Sequence, residues 1–166
     1  MSAMRPALPP SRLVRADVLG TVVFVIALAI AIPLRDERLG QVIIAVVSLV
    51  LFAIGIATGL WAYTSALERS RTAEVGVANL YLLTGATAPR QVKVTMLVAL
   101  GTQVIAAFGG AIVGMSGLDE NHLNALAFGV LVPMFGIGMN GMWAARYGSY
   151  GPRVGPTVKP TNRKIE

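Results

Sequence analysis

The sequence predicts an all-α integral membrane protein, a four-helix bundle with its N- and C-termini both in the cytoplasm. Three observations predict this class: the composition, four long apolar runs and the distribution of basic residues. Of the 166 residues, 55% are hydrophobic and only 13% are charged, whereas about a quarter are charged in an average soluble domain. Lipid is therefore expected to solvate much of the surface.

The four apolar runs define a single transmembrane domain over 18–146. A helix rises about 1.5 Å per residue, so each run is about long enough to cross a hydrocarbon layer of roughly 30 Å. The predicted spans are 18–34, 41–64, 92–115 and 124–145. Pro33 is expected to help end the first helix and Pro133 to kink the fourth. The arginines before the first run also fit a secretory signal, but the nearby Pro33 favours a retained helix.

The basic residues predict the orientation of the spans. Twelve of the 14 Lys and Arg residues fall on one side of the spans, and only Arg35 and Arg38 fall on the other. The positive-inside rule therefore places both termini and the segment 65–91 in the cytoplasm. The expected location is the plasma (inner) membrane. Trp61 and Trp143 close two of the runs on this same side, where amphipathic rings favour the membrane interface.

Three segments outside the spans are expected in the cytoplasm. The tail 1–17 carries three arginines, and the basic tail 147–166 is rich in Gly and Pro and is predicted to be flexible. Segment 65–91 is predicted to extend the second helix or to form a helical connector on the inner leaflet. It is either a solvated connector or a docking surface for another subunit. The candidate docking residues are Glu68, Arg71, Glu74 and Tyr81.

Several kinds of chemistry are disfavoured by the composition. The chain has no cysteine, which excludes disulfides and thiolate catalysis. The net charge of +6 is explained by membrane topology and anionic headgroups, so no nucleic-acid partner is expected. The four runs contain no Asp, Glu or His in their interiors, and such groups are typical of proton- or sodium-coupled transporters.

The single histidine, His122, follows Asp119, Glu120 and Asn121 in a short connection. This cluster is interpreted as a polar loop rather than a metal site. Adjacent carboxylates point in different directions and lack a shaped site, which disfavours catalysis there. No catalytic, cofactor-binding or metal-ligating residue is predicted, and the chain is expected not to be an enzyme.

Small and neutral polar residues in the spans predict close helix packing. Small residues four apart form a flat strip that allows a neighbouring helix to approach closely. Such strips pack within the bundle or against a different subunit. Gln103 and Asn140 are expected to form interhelical hydrogen bonds, with substrate contact as the alternative. The small residues concerned are Gly55, Gly59, Ala106, Gly110 and Gly114.

The four-span plan and the segment SRTAEVGVANLYLLTGATAPRQVKV (70–94) resemble the LucB-like actinobacterial membrane proteins. These are accessory subunits of mammalian-cell-entry (Mce) lipid importers. The resemblance implies an accessory role beside the permease of an ATP-driven lipid or fatty-acid importer, and it carries over no functional residue. The expected function is thus a non-enzymatic accessory or regulatory subunit, with membrane lipid and a permease as partners. The alternative is a small self-contained transporter or channel acting as a homo-oligomer.

Overall fold

The computed structural model describes residues 12–71, 73, 75–116 and 124–151. Over these residues the chain is helical, as predicted, and contains no strand. The elements in order are α1 (Arg12–Ala31), α2 (Arg38–Arg69), α3 (Val77–Tyr81), α4 (Arg90–Met115), a 3-10 helix (Ala125–Leu131) and α5 (Pro133–Tyr147). The predictions for residues 1–11, for the loop 119–122 and for the tail from 152 onward lie outside the described residues.

Four helical segments are long and apolar enough to cross a membrane, which confirms the predicted spans. They are α1, α2, α4 and the segment Ala125–Tyr147, which joins the 3-10 helix to α5. The end of α5 lies beside the chain that enters α4, because the Ser149 amide donates to the Thr87 carbonyl at 3.1 Å. We call this end of the bundle the basic end. Its described basic residues are Arg12, Arg15, Arg69, Arg71, Arg90, Lys93 and Arg146.

Helix α1 begins earlier than predicted, at Arg12 rather than Val18. The helix therefore takes in Asp17, which the apolar run had excluded. It ends at Ala31, in agreement with the expected effect of Pro33. The connection to α2 is tight, because a Cβ atom on Gly40 would collide with the backbone carbonyl of Leu34.

Helix α2 continues past its apolar run to Arg69, and the chain then folds back into the short helix α3. Leu80 of α3 is 2% exposed, and Leu83, just after it, is fully buried against the core. Leu83 also has a φ of 52°, a left-handed conformation that costs about 1–2 kcal/mol for a residue with a Cβ atom. The segment between α2 and α4 is therefore partly packed onto the bundle rather than wholly solvated.

The fourth span is broken where Pro133 was expected to kink it. The chain runs as a 3-10 helix to Leu131, and α5 starts with Pro133 at its first turn. Proline suits that position because its missing N–H would be unpaired there in any case. The fourth span therefore consists of two helical segments that meet at Val132 and Pro133.

Helix α5 is the central element of the bundle. Half of its span is buried, compared with about a third or less in the other three spans (28–33%). Trp143, expected at the membrane interface, is only 5% exposed and stacks 5.8 Å from the Tyr147 ring. It is buried because α5 is covered by its neighbours at this end. The fully buried apolar side chains around α5 include Phe24, Ile44, Met96 and Val132.

Candidate functional site

A buried hydrogen-bond network joins three helices in the middle of the bundle. Gln103 of α4 is fully buried, and its Nε2 donates to the Thr21 hydroxyl of α1 at 2.7 Å. The Gly136 amide of α5 donates to Gln103 Oε1 at 3.1 Å. The interhelical role predicted for Gln103 therefore matches these contacts.

The break at Pro133 explains why α5 needs this partner. The first amides of a helix have no acceptor within the helix. Phe135 donates to the Val132 carbonyl at 2.8 Å, whereas Gly136 reaches across to Gln103. A Cβ atom on Gly136 would lie 2.6 Å from Gln103 Oε1. A side chain at position 136 would push the Gln103 amide away, so the short distance between the two groups favours glycine there.

Asp17 lies one turn before Thr21 and is fully buried. Its backbone carbonyl accepts from the Thr21 hydroxyl at 2.9 Å, and Gln103 lies beside it. Neither carboxylate oxygen has a hydrogen-bond partner among the described residues. The expectation of spans without interior acidic groups is thus corrected. The cause is that α1 extends beyond its apolar run and turns Asp17 inward.

A second polar contact closes the basic end of the bundle. The Tyr81 hydroxyl donates to the Gly59 carbonyl of α2 at 3.0 Å, and Asn140 Nδ2 of α5 donates to the Tyr81 carbonyl at 3.1 Å. Burial raises the pKa of the Tyr81 phenol, and the neighbouring Tyr63 adds to this effect. Tyr81 thus links the segment between α2 and α4 to both α2 and α5 by hydrogen bonds. Asn140 makes the interhelical type of contact that was predicted.

The predicted small-residue strip of α2 lies against α5. A Cβ atom on Gly55 would lie 2.5 Å from the backbone carbonyl of Met134, while one on Gly59 would lie 3.4 Å from the Met134 side chain. In return, a Cβ atom on Gly138 of α5 would collide with the Gly55 carbonyl. The two helices meet backbone to backbone at Gly55.

The strip of α4 is also used within the chain. A Cβ atom on Gly110 would lie 2.7 Å from Leu28 of α1, and one on Gly114 would collide with the Asn124 side chain. Ala106 is partly buried and packs against the core. These contacts support the interpretation of the strip as packing within the bundle.

The remaining docking candidates are placed differently. Glu68 and Arg71 are exposed near the end of α2, and Glu74 lies outside the described residues. The structure brings neither of the two exposed residues into contact with Tyr81 in any described hydrogen bond or ion pair. Their role in docking stays a prediction.

Sequence reasoning missed two features of the spans. Asp17 and Thr21 are four residues apart, the helical spacing that could have extended α1 backward to include them. The second feature is the pair Gly101 and Gly109 of α4, which the sequence analysis did not single out. A Cβ atom on either residue would meet open space. They lie on the outward face of α4, together with Ile105, which is 75% exposed.

A groove of about 590 Å³ lies on the outside of the bundle between α1 and α4. We call it the α1–α4 groove. Half of its ten lining residues are valines, and Thr21, which belongs to the buried network, also lines it. Its lining includes Val18, Val22, Val25, Val94, Val98 and Thr102.

Within the described part of the chain, no group of three His, Cys, Asp or Glu side chains is placed to hold a metal ion. The Asp119–His122 cluster lies outside that part. No family model, curated protein or solved structure matches this chain.

Proposed function

We propose that this chain is a non-enzymatic accessory or regulatory subunit of a larger complex in the inner membrane. The observation that supports it is that buried side chains fill the space between the helices. Fully buried side chains such as Phe24, Met96 and Gln103 occupy the space between the helices, and the groove lies outside. We therefore expect the bundle to act through its outer surface.

That outer surface is apolar and extensive. Large side chains stand out from α2 and α4, among them Leu60 and Ile112, both 63% exposed. Lipid tails are as apolar as these side chains, so close packing rather than hydrophobicity selects a protein partner in a membrane. The open positions Gly101 and Gly109 flank the exposed Ile105, so this face of α4 offers a partner helix two recesses and one projecting side chain.

The partner we propose is the permease of an ATP-driven Mce-type lipid importer. This class comes from the resemblance of residues 70–94 to accessory subunits of such importers. In the proposed orientation, the basic end and the connector face the cytoplasm, in keeping with the positive-inside rule. Glu68 and Arg71 would then be available to a cytoplasmic ATPase or to the permease loops.

The test is co-purification from the native membrane in mild detergent, followed by mass spectrometry. Stoichiometric recovery of a permease and its ATPase is the expected result. Recovery of this chain alone, as a monomer or homo-oligomer, would refute the proposal.

Matched variants locate the partner face. Gly109→Leu adds a side chain to open space on α4, whereas Gly110→Leu adds the same side chain against Leu28 and disturbs the bundle itself. If α4 contacts the permease, Gly109→Leu lowers co-purification without lowering the Tm of the isolated chain. An unchanged yield with both Gly101→Leu and Gly109→Leu would remove α4 as the partner face.

The alternative function, a small self-contained transporter, is favoured by one observation. Asp17 is a buried carboxylate within a span helix, and ionisable groups there often mark proton or ion pathways. This alternative predicts solute or proton flux in liposomes that contain only this chain. Asp17→Asn should abolish the flux, and Asp36→Asn, at a side chain that is 92% exposed, should not. Absence of flux in the unaltered protein would dismiss it.

A further inference from the structure

We propose that the α1–α4 groove binds one acyl chain of an anionic membrane phospholipid, with the lipid phosphate held by Arg15. This inference goes beyond the proposed function, because it requires no partner protein. It assigns a binding site on the surface of the bundle and a chemical class of ligand.

Each wall of the groove is about as long as one leaflet of the bilayer is thick. The groove follows α1 from Val18 to Ile26 and α4 from Val94 to Thr102. Eight residues of helix rise about 12 Å, and half of a hydrocarbon layer of roughly 30 Å is about 15 Å. Contacts between the helices set their register, because Thr21 meets Gln103 and Leu28 meets Gly110, each pair 82 residues apart. Val18 therefore lies about level with Leu100, and the two stretches are staggered. The groove begins at Val94, near the start of α4 at the basic end, and ends near Ile26.

The far end of the groove is closed by helix contact. Just beyond it, Leu28 of α1 packs so closely on α4 that a Cβ atom on Gly110 would lie 2.7 Å from its Cδ1. The floor is closed by the hydrogen bond from Gln103 to Thr21. A transmembrane helix about 10–12 Å across is straight and crosses the whole bilayer, whereas this groove runs obliquely from α4 to α1 and ends before the Leu28 contact. A flexible acyl chain can follow such a groove.

Most of the groove wall suits hydrocarbon, and two of its three threonines have hydroxyls that are already bonded. The Thr21 hydroxyl donates to the Asp17 carbonyl, and the Thr95 hydroxyl donates to the Gln91 carbonyl, both at 2.9 Å. These hydroxyls are satisfied within their own helices and need no partner in the groove. The valines beside them are stiff at χ1, so the groove is formed before a lipid enters. Its volume falls within the roughly 300–1,000 Å³ typical of ligand pockets.

The open end of the groove carries a positive charge. Arg15 is three residues before Val18 and seven before Val22, which places it on the same face of α1 as the groove. It is exposed, and no described carboxylate forms an ion pair with it. A guanidinium matches the geometry of phosphate and binds it through paired hydrogen bonds. Anionic lipids are enriched in the cytoplasmic leaflet, which is the leaflet that this end faces in the proposed orientation.

The test measures lipid retained by the purified chain. Protein in mild detergent is mixed with equal amounts of phosphatidylglycerol and phosphatidylcholine that bear the same acyl chains, and bound lipids are counted by native mass spectrometry. The expected result is one retained lipid per chain, with phosphatidylglycerol preferred. Arg15→Gln should reduce that preference about fivefold, since one basic side chain near an anionic surface contributes about 1 kcal/mol. Arg146→Gln, also at the basic end but on α5, should leave it unchanged.

Groove-filling variants test the acyl-chain site itself. Val22→Trp and Val98→Trp fill the groove from its two walls and should both abolish the retained lipid. Val23→Trp is the matched control, because Val23 is 50% exposed, much as Val22 is at 46%, but does not line the groove. A Tm equal to that of Val23→Trp shows that the bundle is intact. Equal retention of both lipids by the unaltered protein, lipid retained by both Trp variants, or a dimer that Val22→Trp dissociates would overturn the proposal.

Discussion

Gly55→Ala should destabilise the bundle far more than the same change four residues later. An added Cβ atom at Gly55 would lie 2.5 Å from the carbonyl carbon and oxygen of Met134 and 2.6 Å from the Phe135 Cα atom. Carbon atoms in contact prefer about 3.5–4.0 Å, so the two helix backbones must separate by about 1 Å. Backbone atoms cannot rotate away as the end of a side chain can.

The cost follows from this overlap. Overpacking in a well-packed core costs typically 1–3 kcal/mol, and a rigid backbone contact falls at the upper end of that range. Alanine regains up to about 1 kcal/mol of helix propensity relative to glycine. The net loss should be about 2 kcal/mol, which corresponds to a Tm about 4–8 °C lower for a chain of this size.

The matched control is Gly59→Ala. Its Cβ atom would lie 3.4 Å from the flexible end of Met134 and 3.7 Å from the Gly138 Cα atom, which is ordinary contact. The expected Tm is equal to or above that of the unaltered protein. Thermal unfolding of both variants in one detergent provides the comparison. A Gly55→Ala protein that is as stable as Gly59→Ala would refute the close α2–α5 contact.

Three further predictions concern the polar contacts. Gln103→Leu should cost about 1–3 kcal/mol, because the Gly136 amide is then buried without an acceptor; thermal unfolding measures it. Asn140→Leu should cost about 0.6 kcal/mol or less by the same assay, since it removes one hydrogen bond between packed segments together with an oxygen that already has no described partner. Tyr81→Phe should lower the Tm at neutral pH by removing the donor to Gly59. The pKa of Tyr81 is raised from its ordinary value of 10.0, so the folded protein favours the protonated hydroxyl that donates to Gly59. The difference in Tm between the unaltered protein and Tyr81→Phe should therefore persist below pH 10. It should disappear as the pH rises through the raised pKa of the folded state. A smaller effect for Gln103→Leu than for Asn140→Leu, or a Tyr81→Phe difference that is constant up to strongly alkaline pH, would contradict these assignments.

The helical content and the number of spans could be predicted from the sequence, whereas the acidic group in the core could not. Each run of apolar residues is long enough to reveal a span by itself. Asp17 was not assigned to a span because it precedes the first apolar run. Hydropathy falls where polar residues begin, so it gives no sign that the helix continues. Only the helical spacing of four residues to Thr21 hinted that α1 continues, and nothing local shows which way a side chain at that position faces.

The candidate site shows the same division. Gln103 and Asn140 could be recognised as polar groups that need partners in lipid, but their partners could not be named. Gln103 meets Thr21, which is 82 residues away along the chain. Asn140 meets the Tyr81 carbonyl, 59 residues away. Pairs so distant in sequence leave no periodic pattern from which they can be read.

Four apolar helices and an uneven distribution of basic residues can be recognised in this chain without knowledge of the fold. Both properties express how single segments interact with lipid and water, so they do not depend on which helices become neighbours. The packing of the helices, in contrast, determines that Gly55 meets a backbone, that Gly59 has room and that Gly101 faces open space. The sequence pattern treats these glycines alike, because the space beside a residue is set by the helix that packs against it and not by the residue itself.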